Sequence, residues 1–431
     1  MENAAALAPA DRRPLLLRWM GRGWQSLIHR QELVVFLLLL LFGIILSFST
    51  STFFTSTNLL NVALGFSWYA IAAFGAMMVI IVGGIDLSVG AVMALAGMVS
   101  ALALKAGLPL AVALVCGALC GALVGLTNGL LVGRTGLPPF MVTLGTMGIT
   151  RGIVLSLTSG APALDLLPAF RYIGQADLAL GALLIPLPVA WMVLLAVLVS
   201  LLLHQTVLGR YIYTVGRSER ALRIAGVSPV RLKTGVYALS GVLAACAGMI
   251  MTARLGVAAP MAASGYELDI IAAAVIGGAS LFGGEGTVTG VILGAALIQV
   301  IRNGVVLLGL TNQNQWQFVT IGAMILFVLL LDYWRRRRCS HDATTDDGER
   351  GRGEMGRWEM GRWGDGETGR WGGGDGGSYC VSCLASRVSC LVPPGLAPPG
   401  LGSHASPCCW RWRCWCWRPA RLRPAPRRAR S

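Results

Sequence analysis

Apolar residues in this chain run in long blocks, not in the alternating pattern of half-buried strands. Ten such blocks stand out: 33–49, 59–82, 85–104, 109–132, 138–158, 178–203, 234–253, 268–282, 286–307 and 316–334. Roughly 20 apolar residues, rising about 1.5 Å each, cross the hydrocarbon of a bilayer. The pattern therefore predicts an all-α polytopic membrane bundle of about ten transmembrane helices. No small-residue cleavage site follows the first block, which reads as a retained helix and not as a signal peptide.

Two glycine patterns modify this picture. Gly117, Gly121, Gly125, Gly129 and Gly133 recur every fourth residue, as do Gly286, Gly290 and Gly294. Such stripes let helix backbones approach closely in lipid, and packing within the chain is expected over a dimer face. Elsewhere glycine interrupts a span. In "VGGIDLSVGA", Val82 to Ala91, Gly83-Gly84 breaks a helix, and Asp86 or Ser88 is placed to cap the next one. "VIGGASLFGGEGTVTG" echoes it when Gly83-Gly84 is aligned with Gly277-Gly278, Leu87 with Leu281 and Gly90 with Gly284. Irregular backbone at membrane depth survives only inside protein or along a wet cavity. Paired glycine breaks in two halves of a chain therefore point to a transport path. The competing reading is two ordinary helix–turn–helix connections.

Composition supports the membrane reading: 55% of residues are hydrophobic and 13% charged, where soluble domains carry about 25% charged. The net charge of +15 is not a nucleic-acid signal, because the basic residues cluster at particular places. They group at Arg12 to Arg30, at Arg134, between Arg210 and Lys233, and at Arg335 to Arg338. One orientation, with both termini cytoplasmic, puts all four groups on the inner side.

Asp86, Asn128, Arg151, Glu267, Asp269, Glu285, Arg302 and Asn303 lie in spans or at their edges. Ionisable residues there face the bundle interior and need partners. Together with Gly83, Gly84, Ser88, Gly277 and Gly278, they are the candidates for a translocation path, Glu285 and Arg302 apart. Asp86 reads as a structural cap beside that path. Arg151, in mid-span, reads as a buried ion pair or carbonyl clamp ahead of a substrate contact. The acids sit at breaks and span ends, against a proton or sodium relay. The two lysines, Lys105 and Lys233, are not in a Walker setting, no metal-ligand cluster appears in the membrane region, and no nucleophile elbow is present. Any ATP is then bound and hydrolysed by a partner, with no cofactor on this chain.

The segment between the sixth and seventh blocks contains a short helix, Glu219 to Ala225, capped by Ser218 and ended by Gly226. Ala221, Leu222 and Ala225 would form an apolar face flanked by Arg220 and Arg223. Docking in a partner's groove is favoured over lying on the membrane.

Five blocks, "GGIDLSVG", "PPFMVTLGTMGITRG", "GRYIYTVGRSERALRIAGV", "TARLGVAAPMAASGYELDIIAAAVIGGASLFGG" and "DYWRRR", resemble in order and spacing the ribose-type ABC transporter permeases, within the broader group that includes branched-chain amino acid permeases. The resemblance implies an importer subunit for a monosaccharide (pentose, hexose or related polyol) in the bacterial inner membrane. It implies three partners: a second permease subunit, a periplasmic or lipid-anchored sugar-binding protein, and a cytoplasmic ABC ATPase. It also assigns ATPase coupling to Gly216, Arg217, Ser218, Glu219, Arg220, Ala221, Arg223 and Gly226. The family commonly has Gly-Asn-Glu where this chain has Arg217-Ser218-Glu219. Alternatives are a nucleoside, a signalling furanose or a branched-chain amino acid as cargo, an ion-coupled secondary transporter, or a scaffold without transport.

Three regions are thus expected: a cytoplasmic segment 1–32, a permease domain 33–338, and a tail 339–431. The tail is rich in Gly, Arg, Trp and Cys, with a crude repeat, and reads as non-native coding or disordered chain too poor in aliphatic periodicity to bury a core. A lone Cys380/Cys383 pair there is a weak metal signal.

Overall fold

A computed structural model describes residues 31–309, except 181 and 182, and most positions from 315 to 330. The tail, the segment 1–30 and the arginine clusters at both ends lie outside the described residues. Apart from Leu330, the described residues belong to one compact unit.

The order is α1 Gln31–Ser49, α2 Ser56–Ile81, α3 Val89–Lys105, α4 Leu110–Thr135, α5 Pro139–Thr158, α6 Pro168–Gln175, β1 Asp177–Leu180, β2 Leu183–Pro186, α7 Leu187–Gln205, α8 Val207–Arg217, α9 Glu219–Ile224, α10 Pro229–Leu255, α11 Tyr266–Ile276 and α12 Val288–Leu307. Among the described residues, seven helices, α1, α2, α4, α5, α7, α10 and α12, are long and apolar enough to cross a membrane, and α3 is a shorter apolar helix. The described positions between 315 and 330 are also helical.

Two predicted spans come out differently. The block 178–203 begins as an antiparallel hairpin, with Asp177 opposite Pro186, and its helix starts only at Leu187. A continuous apolar run does not separate buried strand from helix. The two prolines settle the point, because the residue before a proline is pushed to extended backbone while Pro188 fits the first turn of α7. The block 268–282 gives only α11, whose 11 residues span about 16 Å, half the hydrocarbon thickness. It ends at the glycine pair.

Helices α2 and α10 form the centre. From Tyr69 to Ile81 nearly every side chain of α2 is buried, and α10 buries Tyr237, Leu243, Ala244, Ala245 and Ala247 around it. The first glycine stripe lays α4 along α10. A Cβ on Gly121 would run into the Gly241 carbonyl, one on Gly241 into the Gly121 carbonyl, and one on Gly125 into the Tyr237 carbonyl. The second stripe packs α12 on α11, Gly290 against the Gly277 carbonyl and Gly294 against the Ala273 carbonyl. Both stripes are packing within the chain. In lipid such van der Waals contacts, with interhelical hydrogen bonds and lipid entropy, hold helices together. Gly121→Leu is therefore expected to cost more than the ~1–3 kcal/mol of ordinary overpacking, read as early melting in detergent. Gly235→Leu, at an α10 glycine with nothing within 4 Å, should melt like the parent.

Candidate functional site

Helix α2 ends because Gly83 takes the left-handed conformation, φ +80°, which costs glycine little. The Gly83 N–H donates to the Ile80 carbonyl and the Gly84 N–H to the Val79 carbonyl, both at 2.9 Å, so the last carbonyls are satisfied. Gly84 has no room for a Cβ, which would strike the Tyr237 hydroxyl. Beyond the break, buried Asp86 accepts from the Ser88 N–H at 2.9 Å and from the Ser88 hydroxyl at 2.6 Å. Asn128 Nδ2 donates to that hydroxyl at 2.9 Å, and the Thr143 hydroxyl donates to the Ile85 carbonyl at 3.1 Å.

This corrects the capping expectation. Ser88 occupies the N-cap position of α3, but with φ −81° and ψ −9° its side chain caps nothing; capping needs extended backbone there. Asp86 closes the turn upon itself and, through Ser88, ties it to α4. Ser88→Ala would leave the Asn128 amide without that acceptor and Asp86 with one bond. The expected cost is about 1–3 kcal/mol, read as a lower melting temperature. Ser88→Thr, which keeps the hydroxyl, should lose less.

The second break repeats the first in geometry with its register moved by one residue. Here Gly278, not Gly277, is left-handed, φ +106°. Its N–H donates to the Val275 carbonyl at 3.0 Å and the Ala279 N–H to the Ala274 carbonyl at 2.9 Å. Gly83 thus corresponds to Gly278, correcting the alignment of the two pairs. The connection to α12 is also longer and passes through left-handed Gly283 and Gly284. It ends at Thr287, whose hydroxyl accepts the Gly290 N–H and donates to Glu32. Gln31 Nε2 reaches the Val275 and Ile276 carbonyls at 3.2 and 3.3 Å, covering the end of α11.

The two breaks meet. The Gly284 N–H donates to the Ile81 carbonyl at 2.8 Å. Gly216, in the last turn of α8, is pressed against both, so that a Cβ there would overlap the Ile81 carbonyl and the Gly284 nitrogen. The Tyr213 hydroxyl donates to the Gly286 carbonyl at 2.8 Å. Sequence placed the breaks and the loop helix separately; their convergence, and the parts of Tyr213, Tyr237 and Gln31, were not visible there.

Helix α9 forms as expected, with the Ala221 N–H donating to Ser218 Oγ at 3.3 Å and Gly226 left-handed at φ +78°. Its apolar face is a correction. Leu222 alone is buried, while Ala221 and Ala225 are exposed and Ile224 is 82% exposed. Arg217, Arg220 and Arg223 are exposed as well. Lys233 donates to Glu219 and Arg223 lies 3.6 Å from it. The Lys233 hydrogen bond, followed by the two positive charges, holds the Glu219 carboxyl below its usual range. A short helix is thereby anchored by one buried leucine and, to α10, by one ion pair, and presents arginines and Ile224 outward.

The other polar candidates separate into two groups. Asp269, 3% exposed, pairs with Arg302, whose guanidinium lies 5.6 Å from the Tyr69 ring centre and 5.1 Å from that of Tyr266. Asn303 exchanges amide hydrogen bonds with Asn58 at 2.8 and 3.1 Å. These four hold α12 against α2 and α11. Arg151 is a carbonyl clamp: Nη1 donates to Pro260 and Ala262, each at 2.9 Å. With Glu267 it borders a cavity of about 380 Å3 between α5 and the segment entering α11.

The family described as "Branched-chain amino acid transport system / permease component" matches residues 58–329. The chain is 42% identical over 304 residues to the ribose import permease protein RbsC of Bacillus subtilis (strain 168), covering 70% of this chain and 92% of that one. It is 37% identical over 298 residues to the D-allose transport system permease protein AlsC of Escherichia coli (strain K12), covering 69% and 90%. Against the fructose import permease protein FrcC of Rhizobium meliloti it is 36% identical over 312 residues, covering 71% and 85%. No solved structure matches the chain.

Proposed function

Because the chain belongs to the family of branched-chain amino acid transport system permease components, we propose that it is the membrane-spanning subunit of a binding-protein-dependent ABC importer that carries a monosaccharide, a pentose, hexose or related polyol, across the inner membrane. The observation that carries this reading is the match along most of the length of permeases individually named for ribose, allose and fructose. Those names favour a sugar over the amino acids in the family description.

In this reading the protein makes and breaks no bonds. It offers a path whose opening follows a partner ATPase, which binds and hydrolyses the ATP. A second permease subunit and a periplasmic or lipid-anchored sugar-binding protein complete the assembly, and both termini of this chain are cytoplasmic. The ATPase grips α9 and the end of α8 through Arg217, Arg220, Arg223 and Ile224. The support for that role is the Gly216 contact, which joins the gripped segment to both helix breaks without an intervening side chain. Movement at α9 then shifts the end of α2 and the connection between α11 and α12 together. Carbonyl and amide contacts at 2.8 Å transmit such a shift with little slack, because packed cores are bistable and resist gradual deformation.

Glu219→Arg, or deletion of Ala221–Ala225, is expected to abolish co-purification with the ATPase while the chain still inserts in the membrane. Unchanged co-purification of both variants would contradict the assignment.

A further inference from the structure

Between α11 and α12, residues 280–285 close a tight turn. The Ser280 N–H donates to the Glu285 carbonyl at 3.1 Å and the Gly283 N–H to the Ser280 carbonyl at 2.8 Å. Gly283 and Gly284 are both left-handed, φ +83° and +76°, a pairing that residues with a Cβ resist. These two glycines are pressed onto the end of α8. A Cβ on Gly283 would meet the Gly216 and Ile81 carbonyls, and one on Gly284 the Arg217 side chain. Leu281 and Phe282 stand at the corner of the turn, 44% and 84% exposed. Glu285 and Arg217, on either side, are exposed as well.

A leucine and an aromatic ring exposed together at the tip of a closed turn form a knob suited to a partner's pocket. In a membrane protein lipid is the first occupant to consider, and the position of the turn argues against it. The Gly284 N–H bonds the carbonyl of Ile81, the last residue of α2. That helix is the centre of the bundle, buried at nearly every position from Tyr69 to Ile81. The turn therefore caps the end of the bundle's centre, not its lipid-facing circumference. The charges of Arg217 and Glu285 beside the knob also belong in water and not in hydrocarbon.

The orientation set by the arginine clusters puts this end on the inner side. Arg217, which Gly284 touches, is the first outward residue of the segment read above as gripped by the ATPase. The knob is thus continuous with that surface.

We propose that Leu281 and Phe282 are a second docking element for the ATPase subunit, with Phe282 entering an apolar socket beside the one that receives α9. The proposal rests on the ATPase-coupling reading of α9. It gives the second helix break a handle of its own: α9 reaches the breaks through Gly216, whereas Phe282 stands on the connection itself.

The test places p-benzoylphenylalanine at Phe282, and separately at Ile224 as the reference on α9, in the full assembly. Illumination should crosslink the ATPase from both positions. Phe282→Ala should weaken binding of the ATPase to the solubilised permease about tenfold or more, the worth of one buried aromatic anchor, and should melt like the parent. Phe282→Trp should bind more tightly than Phe282→Ala.

An ATPase crosslink from Ile224 but not from Phe282 overturns this proposal alone. So does a Phe282 crosslink found only on lipid, on a second copy of this chain or within the chain, and so does parental ATPase binding by Phe282→Ala. ATPase crosslinks from neither position overturn the coupling reading of α9 and this proposal with it. An ATPase crosslink from Phe282 alone keeps the knob and removes α9 from the interface. If the chain carrying the analogue at Phe282 fails to fold, the binding of Phe282→Ala decides.

Discussion

Gly216→Ala is expected to abolish transport, although it adds one methyl group and replaces a poor helix former with the best one. In an exposed helix interior the exchange stabilises by about 1 kcal/mol. At Gly216 the new Cβ would overlap the Ile81 carbonyl and the Gly284 nitrogen, backbone groups that cannot rotate away. Either the 2.8 Å bond between those two groups breaks, or α8 is pushed off the breaks. Rigid backbone leaves overpacking no cheap relaxation, so at least about 1–3 kcal/mol is lost locally. The loss falls on the link between α9, the end of α2 and the connection that leads into α12. Uptake should drop to background while insertion and the binding of the ATPase persist, because the outward residues of α9 are untouched. The checks are sugar uptake and ATPase co-purification on the same preparation. Gly216→Ala with parental uptake would remove the junction from the account.

Removing either member of the Asp269–Arg302 pair should have the largest effect on stability. Asp269 is almost wholly inaccessible, and Arg302 lies against the paired rings of Tyr69 and Tyr266. Breaking a buried pair leaves one charge uncompensated and costs about 3–5 kcal/mol. Arg302→Met should therefore melt far below the parent in detergent, and Asp269→Leu likewise. Removing both charges should recover most of the loss, since an apolar pair of similar volume is often as stable as a buried ion pair. A proton or sodium carrier at Asp269 predicts otherwise: Arg302→Met would fold and alter the pH or sodium dependence of uptake. Non-additive melting temperatures in the four-way comparison distinguish the two.

Much of this architecture is legible in the chain because lipid imposes simple constraints. Length and apolarity place α1, α2, α4, α5, α10 and α12 to within a few residues. Four-residue glycine spacing identifies the two packing seams, and Ser218 with Gly226 brackets α9. What escapes has identifiable causes. The strands at Asp177–Leu180 and Leu183–Pro186 are continuous apolar chain, which period alone does not distinguish from helix. The second break carries the same Gly-Gly as the first, but the left-handed turn falls on its second glycine, and identity matching hides a one-residue shift. Arg302 finds Asp269 across 33 residues, and Gly216 meets both breaks from the middle of an unremarkable turn. Long-range partners follow from packing, which one sequence does not display. Ser88 fails as a cap for a local reason, its helical backbone.

Reconstitution in sealed vesicles tests the central claim most directly. The chain is assembled with the ATPase and sugar-binding subunits that co-purify with it from native membranes, and uptake of labelled sugar is followed with ATP on the ATPase side. The account predicts uptake only when all three proteins and ATP are present, with no response to a proton or sodium gradient. Uptake by this chain alone, driven by an ion gradient and indifferent to ATP, would contradict it.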